Sequence, residues 1–380
     1  MKKTFQLICA MLVMAGCQDS DSIGDNSSPI EKETIPSRVS ILTNDGSSVY
    51  HLDVETLQEK VTEYNLTELN GVEANYQSIH FNNTQVSFVY NSHPNYSATL
   101  VDISNQSHQS FSFDMTSDKF EHFEGPIFAI VLNNWFLFFT QIGQEEFRDL
   151  AVHAIDHRTG EQKKLVFAKG VRTYRNVDSE GDNLLVDFQN EDRERTMARI
   201  NLSSGEVSTK DFGKSYFAAM NKDRVHVFTC SPDIYEEYDL NDWSLIQSRE
   251  TNSCTELNWT LGLNNIQFNG SEVLVHLQLS QPSPDPSSPG IFDLSSGEMI
   301  EGNVIITKLR YDIGDKYSQS GIKIETYAVD LKSKNIVVGY QREDPNGIVS
   351  GGLVFTDFTG EILKDIPLLR SPKKIIITEP

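Results

Sequence analysis

This chain is short of cysteine, of positive charge and of long apolar runs. Four cysteines in 380 residues leave little room for a disulfide framework, and 32 basic against 54 acidic side chains give a formal charge of -22. That balance argues against nucleic acid and against docking on anionic lipid; acidity of this kind keeps an exported protein soluble. Motifs that announce chemistry are missing too. There is no GxSxG, no HExxH and no glycine-rich phosphate loop. The segment TNDGSSVY (43–50) lacks the pattern of a sialidase Asp box. No catalytic residue, metal or cofactor is expected from the sequence.

What is present is a repeat. Seven times a short strand runs into an Asp or Asn, turns, and starts a second strand. The copies are HLDVETLQEKV (from His51), LVDISNQSHQSF (Leu100), AIDHRTGEQKKL (Ala154), RINLSSGEVS (Arg199), EYDLNDWSLI (Glu237), IFDLSSGEMI (Ile291) and VFTDFTGEIL (Val354). A period near 50 residues built of hairpins signals a radial array of blades. The expected fold is all-β: a seven-bladed β-propeller over residues 38–380, with six or eight blades as the alternatives.

Blade 7 shows the four-strand order most clearly: ETYAVD, NIVVGYQ, GGLVFTD, EILKDI. Blade 3 has a second strand, WFLFFTQ, that is apolar at nearly every position, as a strand buried on both faces must be. Blade 1 has RVSILT, SVYHLD and QEKVTEY but no innermost strand. A lone terminal strand at Lys373–Glu379 is expected to supply it and close the ring. At the c–d turns, Asp or Asn caps its own backbone, and Gly160, Gly205, Gly297 and Gly360 supply left-handed φ. Recurrence once per blade makes these carboxylates structural.

The N-terminus reads as a leader. Lys2 and Lys3 precede the apolar stretch Phe5–Val13, which is too short to span a bilayer as a helix. Met14-Ala15-Gly16-Cys17 follows and resembles the lipobox of bacterial lipoproteins, with Met14 in place of the usual Leu. The resemblance implies cleavage before Cys17, acyl chains on Cys17, and, with Gln18 rather than Asp next, the outer membrane. An ordinary secretory signal with an incidental Cys17 is the alternative. Residues 1–16 are then the signal, and 17–37 a lipidated cysteine and acidic tether reaching about 25 Å. The remaining cysteines, Cys230 and Cys254, bracket one hairpin and form a candidate disulfide.

Long connections fall between strands b and c and between d and a: 141–148, 189–195, 231–233, 280–289, 308–322 and 341–349. In a propeller these share one face, so binding is expected there. Candidate binding-face residues are Arg148, Arg172, Tyr174, Arg193, Tyr216, Trp259 and Arg342, aromatics with arginines suited to a sugar or peptide; the alternative, and the commoner role of such residues, is packing of the rim. His153 and His157 lie on a strand and its turn, a spacing that does not converge two imidazoles. Asp178, Glu180 and Asp182 read as an a–b turn rather than a calcium loop.

At the level of architecture the chain resembles propeller lipoproteins and YVTN or WD-like repeat proteins. The resemblance implies a lipid-anchored envelope module that binds another envelope protein or a small ligand or sugar. The rival is an envelope enzyme of lyase, glycosidase or dehydrogenase type, with loop charges such as Glu191–Glu194 or Arg342–Asp344 converging on an axial funnel.

Overall fold

The computed structural model describes residues 35–377 apart from 83, 93–94, 115–125, 143–147, 172, 191, 214–215, 231–232, 252–266, 279–284, 286, 303–304, 319–320 and 345. Its 28 strands form seven four-stranded antiparallel sheets, arranged as the blades of a seven-bladed β-propeller.

Blade 1 takes β1 (Arg38–Asn44), β2 (Val49–Glu55) and β3 (Lys60–Asn65) as strands b, c and d, followed by a short helix α1 (Leu66–Asn70). Blade 2 is β4 (Ser78–Asn82), β5 (Gln85–Ser92), β6 (Asn95–Asp102) and β7 (Ser107–Asp114). Blade 3 is β8 (Pro126–Leu132), β9 (Trp135–Ile142), β10 (Arg148–Asp156) and β11 (Gln162–Val171). Blade 4 is β12 (Thr173–Glu180), β13 (Asn183–Gln189), β14 (Arg195–Asn201) and β15 (Val207–Gly213). Blade 5 is β16 (Tyr216–Asn221), β17 (Arg224–Cys230), β18 (Asp233–Asp239) and β19 (Leu245–Glu250). Blade 6 is β20 (Phe268–Asn269), β21 (Glu272–Gln278), β22 (Ser287–Asp293) and β23 (Glu298–Gly302), followed by helix α2 (Ile305–Tyr317). Blade 7 is β24 (Lys323–Asp330), β25 (Asn335–Glu343), β26 (Val349–Asp357) and β27 (Ile362–Leu368), and β28 (Lys374–Ile377) ends the described chain.

Middle strands carry side chains to both neighbours, because successive residues of a strand point to opposite faces. Leu137 and Phe139 of β9 pack toward blade 4, while Phe136 and Phe138 pack toward blade 2. Ile336 and Val338 of β25 face blade 6, and Val337 faces blade 1. The core is therefore divided into seven clusters, one in each gap between blades. Outer strands are mostly solvated; β19 buries none of its six residues fully.

The c–d turns follow the expected chemistry. Asp102, Asp156, Asn201, Asp239, Asp293 and Asp357 each accept a backbone N–H two or three residues ahead, at 2.7–2.9 Å for the shortest bond of each. Blade 1 departs from this. Asp53 stays inside β2 and forms a two-pronged ion pair with Arg38, its Nε bond 2.6 Å long.

Ring closure occurs as the sequence implies. Strand β28 pairs antiparallel with β1, Lys374 opposite Leu42, Ile375 opposite Ile41, Ile376 opposite Ser40 and Ile377 opposite Val39. To reach blade 1 the chain crosses the end of blade 7 against bare backbone. A Cβ on Gly339 would lie 2.8 Å from Pro372 Cβ, and one on Gly351 would strike the Arg370 carbonyl oxygen. The crossing is held by Thr43 Oγ1 donating to the Ser371 carbonyl at 2.7 Å and Lys373 N–H donating to the Leu42 carbonyl at 2.9 Å.

Two expectations about connections are corrected. Most of 308–322, up to Tyr317, is helix rather than loop. Ile305, Ile306, Leu309 and Ile313 repeat at helical spacing, and helix α2 buries that stripe in the wedge between blades 6 and 7. Blade 5 has no long b–c connection either, since β17 and β18 stay paired out to Cys230 and Asp233.

Deleting residues 372–380 is expected to lower the melting temperature by about 5 °C or more; differential scanning calorimetry of the truncated chain checks this, and an unchanged value would rule out closure by β28. For helix α2, Leu309→Ala should cost about 3 kcal/mol in urea unfolding. Tyr311→Ala, at a position 64% exposed, should stay within about 0.5 kcal/mol.

Candidate binding face

Strands b and d run toward one end of each blade, and a and c toward the other. The b–c and d–a connections thus share a loop face, and the a–b and c–d turns form a turn face. Chain entry to β1 is on the turn face, where Thr56 N–H donates to the Ser37 carbonyl at 3.1 Å.

On the loop face, Tyr216 opens β16 and is buried between blades 4 and 5. Its hydroxyl donates to Asp187 Oδ1 at 2.8 Å. Arg195 holds the same carboxylate through Nε at 3.3 Å and through Nη2. Its guanidinium lies 4.3 Å from the Tyr216 ring centre, and Nη1 donates to the Tyr216 carbonyl at 2.5 Å. Alternation along β13 explains the placement: Leu185 and Asp187 face blade 5, whereas Leu184, Val186 and Phe188 face blade 3. Burial and the nearby Asp211 push the Tyr216 hydroxyl above its ordinary range, against the opposing pull of Arg195. The phenol stays protonated and the trio acts as a clamp between two blades.

A second polar cluster closes blade 7 onto helix α2. Tyr317 and Tyr340 hydroxyls both donate to Asp365, at 2.7 and 3.0 Å, and Lys316 Nζ joins it at 2.6 Å. Gly352 makes room for this, because a Cβ there would collide with the Tyr340 hydroxyl. Arg342 lies with its guanidinium 4.3 Å from the Tyr317 ring centre, and its Nε donates to Ser350 Oγ at 3.0 Å.

The predicted residues are therefore divided. Tyr216 belongs to the blade 4–5 clamp and Arg342 to the blade 7 cluster. Arg193 is exposed in the b–c turn of blade 4 with φ 66°, and Arg148 is half-buried at the start of β10. Arg172, Trp259, Cys17 and Cys254 lie outside the described residues, and of Tyr174 and Cys230 only the backbone is described. The sequence does not single out Asp187, Arg195, Tyr317, Tyr340 or Asp365. A charged residue inside the otherwise apolar NLLVDFQ is the one signal for Asp187.

Other candidate carboxylates have separate partners. Asp178 accepts the Met220 N–H of the next blade at 2.6 Å, while Asp182 takes the Ser203 hydroxyl. Burial pushes Asp178 up to about 6. His153 is buried in its strand, whereas His157 packs on Phe111 and Phe136. Among the described residues no three His, Cys, Asp or Glu converge in a way that could hold a metal ion.

No protein-family model matches this chain, and no curated protein matches it. Solved structures do. A candidate 6-phosphogluconolactonase from Bacteroides uniformis is 12% identical over 90% of this chain and 99% of that one, with TM-score 0.46. The β-propeller domain of the Trilobed protease from Pyrococcus furiosus is 12% identical over 76% of this chain and 81% of its own, with TM-score 0.43. TolB from Acinetobacter baumannii is 12% identical over 90% and 82%, with TM-score 0.39.

Two measurements probe the clamp and the buried histidines. Asp187→Ala strands a buried guanidinium and should cost about 3–5 kcal/mol, whereas Tyr216→Phe should cost about 1 kcal/mol, both read by urea unfolding. The second concerns pH. Burial lowers His51, His80, His153 and His226 from 6.5 to about 4. The unfolded chain takes up those protons first, so their contribution is complete above pH 6.5, declines as pH falls, and is exhausted near pH 4. Asp178 acts with opposite sign over part of that window, as one group against four. The urea midpoint should therefore fall steeply between pH 7 and pH 4.5.

Proposed function

We propose that the chain is a lipid-anchored β-propeller of the bacterial cell envelope that works as a binding module, engaging an envelope protein through its loop face. The observation that carries this reading is a pair of exposed apolar side chains on the loop face. The turn face is built largely of tight turns whose polar groups cap their own backbone, with one exposed leucine, Leu57, in the blade 1 turn. On the loop face, Ile348 and Leu369 stand 63% and 89% exposed, beside the arginines Arg342 and Arg370. Exposed apolar groups rimmed by charge favour a protein partner. The two polar clusters of that face have their hydrogen bonds directed to one another, an arrangement suited to holding blades rather than to attacking a substrate. Chain entry to β1 is on the turn face, at the opposite end of the blades from the loop face. Acyl chains on Cys17 supply the anchor, with the outer membrane favoured by Gln18.

Crosslinking in intact envelopes, followed by mass spectrometry of material co-purified with the full chain, tests the reading. A reproducible protein partner should be recovered, and lost when 141–148 or 280–289 is trimmed. A bait that brings down no protein under these conditions would overturn it in favour of a small ligand in the axial funnel. Cys17→Ser should release the chain from the membrane fraction.

A further inference from the structure

Each blade ends in an outer strand whose far edge presents backbone N–H and C=O groups, and such an edge is a template for another chain. Bulges and charged side chains are the usual protection. Outer strands β11, β15, β19, β23 and β27 each carry a register shift against the neighbouring strand. Each of those five also holds at least one Asp, Glu, Lys or Arg. Strand β3 is unbulged but carries Lys60 and Glu63.

Strand β7 of blade 2 lacks both devices along its length. It pairs with β6 in unbroken register, from Ser107 opposite Asp102 to Asp114 opposite Asn95. Between Ile103 and Phe113 there is no Asp, Glu, Lys or Arg, in a chain that is 23% charged. The strand is also held firmly. Phe111 packs on Phe136 of blade 3, ring centres 4.8 Å apart, and the Thr99 and Ser110 hydroxyls lie 3.3 Å apart. Among the described residues β7 is the last strand of its sheet, and Ser107 to Ser110 and Ser112 are exposed.

We propose that β7 is a dimerisation edge: a second copy of this chain adds its own β7 antiparallel, joining two blades into one eight-stranded sheet across a two-fold axis. Two arguments select a second copy. Strand addition gains specificity for a foreign segment from side-chain pockets beside the edge, and β7 offers small polar side chains and backbone. Two copies, each with formal charge -22, repel across most of their surfaces. Pairing β7 with β7 brings a neutral segment against a neutral segment, with no like charges opposite one another. The eight residues of β7 span about 27 Å. That is less contact than an obligate dimer needs, so the expected dissociation constant is about 1–100 μM.

The test uses the full chain carrying Cys17→Ser, which removes acylation as a cause of association. Sedimentation velocity from about 1 to 200 μM should show a reversible monomer–dimer equilibrium. Ser110→Lys combined with Ser112→Lys should weaken it at least tenfold with an unchanged melting temperature. This variant is closer to neutral, so general repulsion falls and cannot explain the loss. Thr209→Lys, at an exposed position of β15, should leave the dimer intact. In the chain without lysine substitutions, amide hydrogen exchange within 107–113 should slow as concentration rises. A monomer throughout, a dimer unaffected by the paired lysines, or exchange at 107–113 independent of concentration would each overturn the proposal. Protection of those amides only on adding envelope extract would also overturn it, in favour of a foreign strand.

Discussion

A ring of blades has one seam, and everything else depends on whether that seam holds. Here four Cα pairs join β28 to β1, so blade 1 takes its innermost strand from the far end of the chain. Without that strand, the inner edge of β1 would expose its unpaired backbone groups, and Ile375 would leave the cluster between blades 7 and 1. The crossing that makes the pairing reachable is itself constrained. Gly339 and Gly351 are places where a side chain would meet the closing segment. The glycine-rich stretch near the start of β26 is thus a structural requirement of closure.

Once the ring is closed, each sheet is covered on both sides, and alternation along the middle strands decides which gap each residue fills. Gaps between blades 4 and 5 and between helix α2 and blade 7 also contain polar clusters. Both surround a carboxylate with tyrosine hydroxyls and a cation, Arg195 at Asp187 and Lys316 at Asp365. Buried carboxylates are tolerated there because their oxygens are occupied by donors.

The repeat, the turn chemistry and the missing strand were legible because each is local. An aspartate that caps the backbone two or three residues ahead needs no knowledge of the rest of the fold. Helix α2 was also written in the chain, as apolar residues at helical spacing, but its place between two blades suggested a loop. The polar clusters were less accessible. Arg195 is eight residues from Asp187 and Tyr216 is 29 away. Nothing in either segment indicates that they meet until blades 4 and 5 are set side by side. Of the seven binding-face residues expected from the sequence, Tyr216 and Arg342 belong to two different clusters rather than one site.

The sequence by itself determined the architecture: the number of blades, the strand order within them and the origin of the closing strand. Period and alternation are properties of neighbouring residues, and they survive without a partner. Only the tertiary structure decided which charged groups meet. Pairing of a charge depends on side chains that adjacent blades deliver from distant positions, and the energy of that pairing exists only where packing has removed water. Asp187 illustrates this, a carboxylate enclosed by donors that two neighbouring blades deliver.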